Sequence, residues 1–461
     1  MPNHLGSQAV VIGGSIAGLT SARVLSDFFD HVTVLERDPI AAHPAARKSI
    51  PQGNHLHVLM LGGQRVLSSL YPGFTDRLEE LGSVRFRFVK DFAFYLPDRK
   101  SHSLSGSCDE PRDLGIDGYS QSRELLEHCV RQSTLELSGI SFESGVSVQG
   151  LVYDGARVRG LRCDHSGDAR TLEADLVVDA GGRGSRAPRW LTELGFEAPS
   201  ETSIGVDFAY ASARFRIPAS YSEPEKVMLF GGPPPRYPNG GGISAIENET
   251  WQVSLAGRFG NYPPADREGF FAFARSLPTP RLYEFIKDAE QVTDLYQHRF
   301  PTSVQRHYER LSAFPERFVV LGDAICSFNP VYGQGMSSAL LQVQALQRLL
   351  NERIAKDPGA PLDHLATAFF PRAADVIAAP WILASGFDFT FPQTKGERPP
   401  NMSEGAAYFR ALDALSADDP EVHRTLLEVF QLVRPLMTLW QEPLFSRVNA
   451  RLRHPSPKES A

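Results

Sequence analysis

Two glycine-rich turns, far apart in the chain, carry the residues best suited to binding chemistry. The first turn follows the apolar residues 9–12 and reads Gly13, Gly14, Ser15, Ile16, Ala17 and Gly18. A turn of this type aims backbone N–H groups and a helix N-terminus at a phosphate. Ser15 stands where the G-x-G-x-x-G pattern has its middle glycine, and its hydroxyl could donate to a phosphate oxygen. The turn therefore predicts a dinucleotide-phosphate site.

The position of Glu36 supports this interpretation. Glu36 ends an apolar run at residues 31–36, at the distance past the turn where a dinucleotide fold has an acidic residue. Its carboxylate can accept hydrogen bonds from ribose hydroxyls. A strand at 9–12, a helix at 18–25 and a strand at 31–36 together predict a βαβ unit. The alternative, a glycine-rich turn without a ligand, does not explain Glu36.

The second turn follows another apolar run, residues 318–321. A carboxylate at Asp323, just past this strand, could hold a hydroxyl of a ribityl chain. Backbone N–H groups at 333–336 open a helix, so they could stabilise negative charge on a reduced flavin ring, with Pro330 as a rigid wall beside it. A simple helix cap would leave the glycines unexplained. The candidate flavin-side residues are Gly322, Asp323, Pro330, Gly333, Gln334, Gly335 and Met336.

A single extended cofactor bound at both ends accounts for both turns, which favours FAD over NAD. Arg47 and Arg123 could each reach the FAD phosphates, although a lone arginine is more often a surface charge. Asp179 ends another apolar strand and is followed by Arg183 and Arg186. This segment is either a second pyrophosphate contact or a strand-end turn with solvated arginines, and the sequence favours neither.

Composition limits the classes of function. The chain has 461 residues, a net charge of -7 and a pI near 6.0, which argues against a nucleic-acid partner. Its four cysteines form no CxxC pair, so we expect a reduced, cytoplasmic protein without a structural disulfide or a metal. No apolar run is long enough for a transmembrane span, and we expect no signal peptide.

The order of the elements predicts an α/β fold with two interleaved domains. Alternating apolar and polar residues between Gly, Pro and Asn turns indicate an antiparallel sheet in the middle of the chain. The later residues are helical in pattern. The predicted units are a discontinuous FAD-binding domain (1–80, 116–198 and 311–355), a substrate-binding β-sheet domain (81–115 and 199–310) and a C-terminal helical extension (356–461).

Taken together, these motifs resemble a known family. They are residues 13–18, Glu36-Arg37, the Pro-Gln-Gly-Asn-His-Leu-His segment at 51–57, 178–183, and the Gly322-Asp323 and 329–336 segments. The pattern is similar to the single-component FAD-dependent monooxygenases of the p-hydroxybenzoate hydroxylase-like superfamily. In motif form it is closest to bacterial natural-product epoxidases and squalene epoxidase. The resemblance covers about residues 8–350 and implies a Rossmann-like FAD domain of the GR2 type, with Arg37 among the cofactor-binding residues.

The resemblance also implies a mechanism. NAD(P)H reduces the flavin, O2 adds at C4a, and the hydroperoxide transfers one oxygen to an electron-rich double bond or aromatic ring. Ile325 and Cys326 stand where many hydroxylases have a histidine, and the Asp179 segment lacks the usual Asp-Gly pair. The choice between NADH, NADPH and a separate flavin reductase therefore stays open.

The substrate is expected to be a hydrophobic natural product, because aromatic residues are frequent in the β region. Tyr210, Phe230 and Trp251 are candidates for its binding wall, with core packing as the alternative. His57 and Tyr332 lie in loops expected near the flavin, where they could orient a substrate hydroxyl. The helical extension could serve as a lid, a dimer surface or a peripheral membrane contact, and residues 387–392 are a candidate cap.

Three other functions remain as alternatives. A flavin halogenase would need a Trp-x-Trp segment, and the nearest match, at Trp251, lacks the second tryptophan. A prenyl-chain reductase would turn over without oxygen. A non-enzymatic binding protein on the same scaffold would not consume NAD(P)H.

Overall fold

The computed structural model describes residues 4–47, 49–102, 108–356, 359–400 and 402–454. Its strands are β1 (Gly6–Ile12), β2 (Phe29–Glu36), β3 (Val84–Arg87), β4 (Phe92–Tyr95), β5 (Lys100–Ser101), β6 (Asp117–Ser120), β7 (Ile140–Ser144), β8 (Val146–Tyr153), β9 (Val158–His165), β10 (Asp168–Glu173), β11 (Leu176–Asp179), β12 (Glu201–Arg216), β13 (Val227–Phe230), β14 (Gly240–Ile246), β15 (Thr250–Arg258), β16 (Tyr296–Arg306), β17 (Phe318–Val320) and β18 (Cys326–Ser327).

The helices are α1 (Ile16–Leu25), α2 (Leu61–Leu70), α3 (Phe74–Glu80), α4 (Arg123–Leu135), α5 (Ala187–Glu193), α6 (Arg267–Arg275), α7 (Arg281–Ile286), α8 (Gly335–Lys356), α9 (Leu365–Asp388), α10 (Met402–Asp418), α11 (Pro420–Phe430) and α12 (Leu444–Arg453). Short 3-10 turns include Pro51–Asn54, Gly322–Ala324 and Pro330–Tyr332. Within the described ranges, no helix combines the length and the apolar character needed to cross a membrane.

A five-stranded parallel sheet forms the first layer, in the order β17-β11-β1-β2-β7. Its central strands are buried on both faces, because α1 packs against β1, β2 and β11 while an antiparallel three-stranded sheet, β10-β9-β8, contacts β2 and β11. The predicted βαβ unit is confirmed, with α1 beginning at Ile16 rather than Gly18. The carboxyl ends of β1, β11 and β17 lie side by side, so the residues that follow them converge on one edge.

An eight-stranded mixed sheet forms the second unit, in the order β18-β16-β12-β15-β14-β13-β4-β5. One face packs on α6 and α7 through an aromatic core that includes Phe215, Phe270 and Phe273. Residues 54–56 lie on the other face, where Ser254 Oγ accepts from Leu56 N at 2.8 Å and Gln252 Nε2 donates to Asn54 O at 3.0 Å. This second face therefore lies towards the loop that leads into α2.

The C-terminal residues form the predicted helical extension. The long α9 packs along α8. The later helices build a small core of their own, which includes Leu412, Val429 and Leu439. Breaks at Pro435 and Pro443 separate the last elements, because proline interrupts helical hydrogen bonding. A parallel sheet, a largely antiparallel sheet and a helical tail confirm the predicted α/β fold class. The strands of each sheet fall almost entirely within the segments predicted for each domain, and the domain boundaries themselves stay a prediction.

Candidate cofactor and active site

The first glycine turn is held in a conformation that only small residues allow. Gly13 has φ +101°, and a Cβ at this position would lie 2.5 Å from the Ala180 carbonyl oxygen. A Cβ at Gly18 would overlap the Gly13 carbonyl oxygen. The start of α1 is therefore packed directly against the end of β1, and the N-terminal N–H groups of α1 face the edge of the sheet where the strands end.

Glu36 is buried at the end of β2, with 4% of its surface exposed. Its carboxylate accepts from Gly14 N at 2.8 Å and from Asp38 N at 2.9 Å, and it also pairs with Arg47. A carboxylate has about four lone-pair sites, so these contacts leave capacity for a ribose hydroxyl. The neighbouring Arg37 is exposed. Glu36 therefore fixes the backbone of the first glycine turn through Gly14, in addition to lying next to it.

Two arginines predicted as phosphate ligands converge on Ser15. Arg123 donates to Ser15 Oγ at 2.8 Å, and Arg47 donates to the Gly14 carbonyl at 3.2 Å. Their side chains are only 11% and 8% exposed, so neither is a surface charge. The Nε atoms of both are buried without a hydrogen-bond partner within the described chain. This pair of cations beside a helix N-terminus could hold a pyrophosphate.

Glu127 joins these groups, and the sequence reasoning did not find it. It accepts from Ser15 Oγ at 2.8 Å and pairs with Arg47 and Arg123. Burial raises the pKa of Glu127, but the two arginines outweigh burial and hold it below its usual value. The only signal in the sequence was its spacing, four residues after Arg123 on the predicted helix.

Asp323 follows β17 in the second turn, at the same edge of the parallel sheet. Gly322 precedes it with φ +71° and donates its N–H to Gln342 Oε1 at 2.8 Å, which fixes the backbone there. Among the described residues, the Asp323 carboxylate has no hydrogen-bond partner. Burial raises its pKa, against the opposing effect of Arg123 and Arg183. An unpartnered carboxylate here fits the predicted contact with a ribityl hydroxyl.

The residues after Asp323 lead into the N-terminus of α8. Pro330 lies half-buried in a 3-10 turn that ends at Gly333, which has φ +67°. Gln334 is buried, and its Oε1 has no partner in the part of the chain that the structure describes. A Cβ at Gly335 would touch only Asp323 Oδ1, at 3.7 Å, while Met336 packs against the core. The open space at Gly335 lies beside an N-terminus that favours negative charge.

Asp179 orders the turn that follows β11. It is 1% exposed and accepts from Gly181 N at 2.8 Å and Ser185 Oγ at 2.6 Å. Arg183 donates to the Thr302 carbonyl at 2.7 Å, so it ties this turn to β16 and is not a solvated charge. Arg186 is exposed.

A polar group lies on the inner face of the mixed sheet, where residues 54–56 pack. His55 Nδ1 is 2.7 Å from Ser212 Oγ, and its ring meets the Tyr210 ring edge-on at 4.0 Å. The Tyr210 hydroxyl is buried and has no partner among the residues described. Burial, reinforced by His57 and His298, lowers the pKa of His55 to about 2. Burial and then Arg123 lower that of His57 to about 4, so both rings are neutral at pH 7.

The other two predicted substrate residues lie elsewhere. Phe230 and Trp251 belong to the aromatic core between the sheet and helices α6 and α7. Side chains alternate across a strand, so Tyr210 reaches one face while these two reach the other. This placement favours the core interpretation for Phe230 and Trp251. Tyr332, in the 330–332 turn, donates its hydroxyl to Asp388 Oδ1 at 2.7 Å.

The arrangement fits FAD from end to end. Glu36 could hold the adenosine ribose, Ser15 with Arg47 and Arg123 the pyrophosphate, and Asp323 the ribityl chain. The ring would then lie by the turn at 330–335, next to the loop that carries His57. Within the described residues, Gln334 Oε1 and Arg123 Nε are buried without partners, and these atoms match polar groups of such a cofactor.

Comparisons with known proteins agree with this geometry. Protein Rv3254 of Mycobacterium tuberculosis is 33% identical over 456 residues, covering 96% of this chain and 93% of that protein. The FAD-dependent monooxygenase ausM of Penicillium brasilianum is 24% identical, covering 75% of this chain and 69% of its own length. No protein-family model matches the chain.

Solved structures show the same fold. The flavin-dependent brominase Bmp2 superposes with a TM-score of 0.67 at 15% identity, covering 98% of this chain and 99% of that one. At this identity the likeness concerns the fold alone. The sequence relatives, unlike the solved structures, also identify the family. Relatives named as FAD-dependent monooxygenases and squalene epoxidase show that the chain belongs to the FAD-dependent monooxygenase superfamily.

Proposed function

We propose that this protein binds FAD and transfers one oxygen atom from O2 to an electron-rich double bond or aromatic ring of a hydrophobic natural product. The observation that carries the proposal is that the two glycine turns meet: a Cβ at Gly322, beside Asp323, would lie 3.2 Å from Ala17 Cβ, and Arg123 donates to Ser15 Oγ. Bound FAD would supply the electron transfer from NAD(P)H and the activation of O2. The remaining tasks fall to the chain itself.

The chain itself would bind the cofactor, orient the substrate and shield the reaction from water. The N–H groups at 333–336 open α8 beside Asp323, and this helix N-terminus would stabilise negative charge on a reduced ring bound there. His55 and His57 are neutral at physiological pH, so they offer hydrogen bonds without adding charge. The residues predicted for catalysis (Pro330, Gly333, Gln334, Gly335, His57 and Tyr332) would therefore act by positioning, with no acid–base triad required.

The substrate would lie against the inner face of the mixed sheet. Apolar side chains on this side, such as Phe94 and Leu229, suit a hydrophobic molecule. The unpartnered Tyr210 hydroxyl would bind one polar group of it, since a buried hydroxyl without a partner carries a desolvation penalty. Phe230 and Trp251 are left out of this proposal because they pack on α6 and α7.

The test is oxygen incorporation by the FAD-loaded protein. NADH and NADPH oxidation would be followed with labelled O2 and a panel of polyenes, isoprenoids and phenols, with and without an added flavin reductase. One labelled oxygen in the product supports the proposal. Label found only in peroxide or water for the whole panel, or turnover without O2, contradicts it. Turnover that depends on the added reductase would assign the reductant route to a separate protein.

Two tyrosine variants test the substrate face. Tyr210→Phe removes the unpartnered hydroxyl, and we expect KM to rise about tenfold for a phenol or alcohol substrate relative to its deoxy analogue. Tyr308→Phe is the matched control, because its hydroxyl is also buried without a partner in the described chain but lies among Phe314 and Phe370 in the FAD-domain core. Equal effects of the two variants would remove Tyr210 from the substrate site.

A further inference from the structure

Asp388, the last residue of α9, reaches from the helical extension into the turn predicted to lie at the flavin ring. Its side chain is 1% exposed. Its Oδ1 accepts from the Tyr332 hydroxyl at 2.7 Å, from Asn329 Nδ2 at 2.9 Å and from Arg258 Nη1 at 2.8 Å. Two of these donors flank Pro330, and the third is on β15 of the mixed sheet. One carboxylate thus joins three parts of the molecule.

The contacts around Asp388 are buried and specific. Arg258 is 6% exposed and lies over the rings of Phe208 and Phe391, at 5.2 Å and 4.9 Å. Arg258 also donates to the Tyr332 hydroxyl at 3.2 Å. A buried charge pair of this kind adds little net stability compared with apolar packing, but it fixes geometry, because each donor must reach one oxygen.

Phe387, the residue before Asp388, also contacts this turn, through its aromatic ring. The Phe387 ring stacks on the Tyr332 ring, with centroids 5.6 Å apart and planes 26° from parallel. Asn329 is fully buried and accepts from Val331 N at 3.3 Å, so the turn is braced at both ends. The chain from Asn329 to Gly333 therefore takes its shape partly from residues that follow α8 by a long way in sequence.

We propose that Asp388 is a positioning residue for the turn from Asn329 to Gly333, called here the ring-side turn, so that the helical extension completes the cofactor site. The claim rests on the proposed function, because it needs the flavin ring to lie beside Pro330 and Gly333. It assigns the segment at 387–392 a role different from a simple cap. The side chains of Phe387 and Asp388 hold the turn that would contact the ring.

The experiment measures the effects at the flavin end and at the adenosine end of the cofactor separately. Asp388→Asn keeps the size of the side chain and removes its charge. In the FAD-loaded protein we would measure the flavin absorption and fluorescence and the reduction potential by dye equilibration, and in the FAD-free protein the affinity for ADP. We expect the fluorescence and the potential to change, with flavin fluorescence rising severalfold, while ADP affinity stays within about twofold, because the described partners of the Asp388 carboxylate are Arg258, Asn329 and Tyr332 and none of the groups proposed to bind ADP.

Two further variants guard the interpretation. Glu352→Gln weakens an exposed pair with Arg372 that also ties α9 to α8, and it should leave all measurements unchanged. Tyr332→Phe removes one donor to Asp388, and it should shift the spectrum and the potential in the same direction as Asp388→Asn. If Asp388→Asn fails to fold, Tyr332→Phe alone carries the test.

The outcomes are distinct. A flavin spectrum, fluorescence and potential identical in wild type, Asp388→Asn and Tyr332→Phe would overturn the positioning role. Equal losses of ADP affinity and ring effects, with a lower Tm, would also overturn it, since they would mean general destabilisation. If the wild-type protein binds no FAD, that result would instead contradict the proposed function itself.

Discussion

Glu36 offers the sharpest test of how the nucleotide turn works. Its position in the sequence predicts only a ribose contact, so Glu36→Ala would be expected to weaken cofactor binding and leave the fold intact. The structure changes that expectation. The carboxylate also accepts from the N–H groups of Gly14 and Asp38 and pairs with Arg47, all in a buried setting.

The size of the effect follows from these contacts. Breaking one partner of a buried charge pair costs about 3–5 kcal/mol, and a hydrogen bond to a charged group contributes about 1.5–3 kcal/mol. Arg47 keeps its pairing with Glu127, which places the loss at the lower end. We therefore expect Glu36→Ala to lower the free energy of unfolding of the FAD-free protein by about 3 kcal/mol. Glu36→Gln should cost about half as much, because its oxygen can still accept from Gly14.

The assay pairs urea unfolding with calorimetric titration of ADP, which carries the ribose and the pyrophosphate but no flavin. For Glu36→Ala we expect ADP affinity to fall at least about tenfold, equivalent to about 1.4 kcal/mol. Asp27→Ala is the control, since Asp27 is exposed on the same βαβ unit and, among the residues that the structure describes, forms an ion pair only with Arg23. It should change neither quantity appreciably.

One result would refute the reasoning. If Glu36→Ala loses stability as expected but binds ADP within about threefold of wild type, Glu36 is a structural brace and the ribose assignment fails. If stability is also unchanged, the hydrogen bonds to Gly14 and Asp38 do not matter to the folded state.

Three other predictions address packing and pH. Gly18→Ala should cost about 2 kcal/mol in unfolding free energy, because its Cβ would overlap the backbone, whereas Gly184→Ala, with no described heavy atom within 4 Å of its Cβ, should be nearly neutral. The pKa values of about 2 for His55 and about 4 for His57 lie below the unfolded value of about 6.5. The unfolded chain therefore binds more protons, and stability should fall as pH drops from about 6.5 towards 4, by up to about 1.4 kcal/mol per pH unit for each histidine. His57→Gln should flatten that slope in urea titrations at several pH values, and an unchanged slope would contradict the assignment. Trp251→Ala should cost about 3–5 kcal/mol in unfolding free energy without altering ADP affinity, and a stable variant would return Trp251 to the list of candidate site residues.

Much of the fold could be predicted from local patterns. Apolar strands followed by glycine turns marked both β1 and β17, and the alternation of apolar and polar residues in the middle of the chain marked the strands of the mixed sheet. The start of α1 was missed by two residues, since Ser15 takes the N-cap position and the helix begins directly after it. Boundaries of this kind depend on capping geometry that periodicity does not encode.

The candidate site was harder to predict than the fold. The pattern of β12 to β15 shows that aromatic side chains alternate between two faces, but not which face meets the loop at 54–56. Tyr210 proved to lie on that face, while Phe230 and Trp251 lie on the other. Glu127 was missed because, apart from Arg123, it acts through Ser15 and Arg47, which lie more than 50 residues away. Asp388 was named only within the candidate cap at 387–392, because its partner Asn329 is also more than 50 residues away.

The sequence by itself determined the two glycine turns, the acidic residues beside them and hence the class of cofactor, because turn geometry and phosphate binding depend on residues close together in the chain. Only the tertiary structure decided which charges are buried together, which sheet face is available and how the helical extension reaches the ring-side turn. Those features arise where distant segments pack, and no local pattern of residue types specifies that packing.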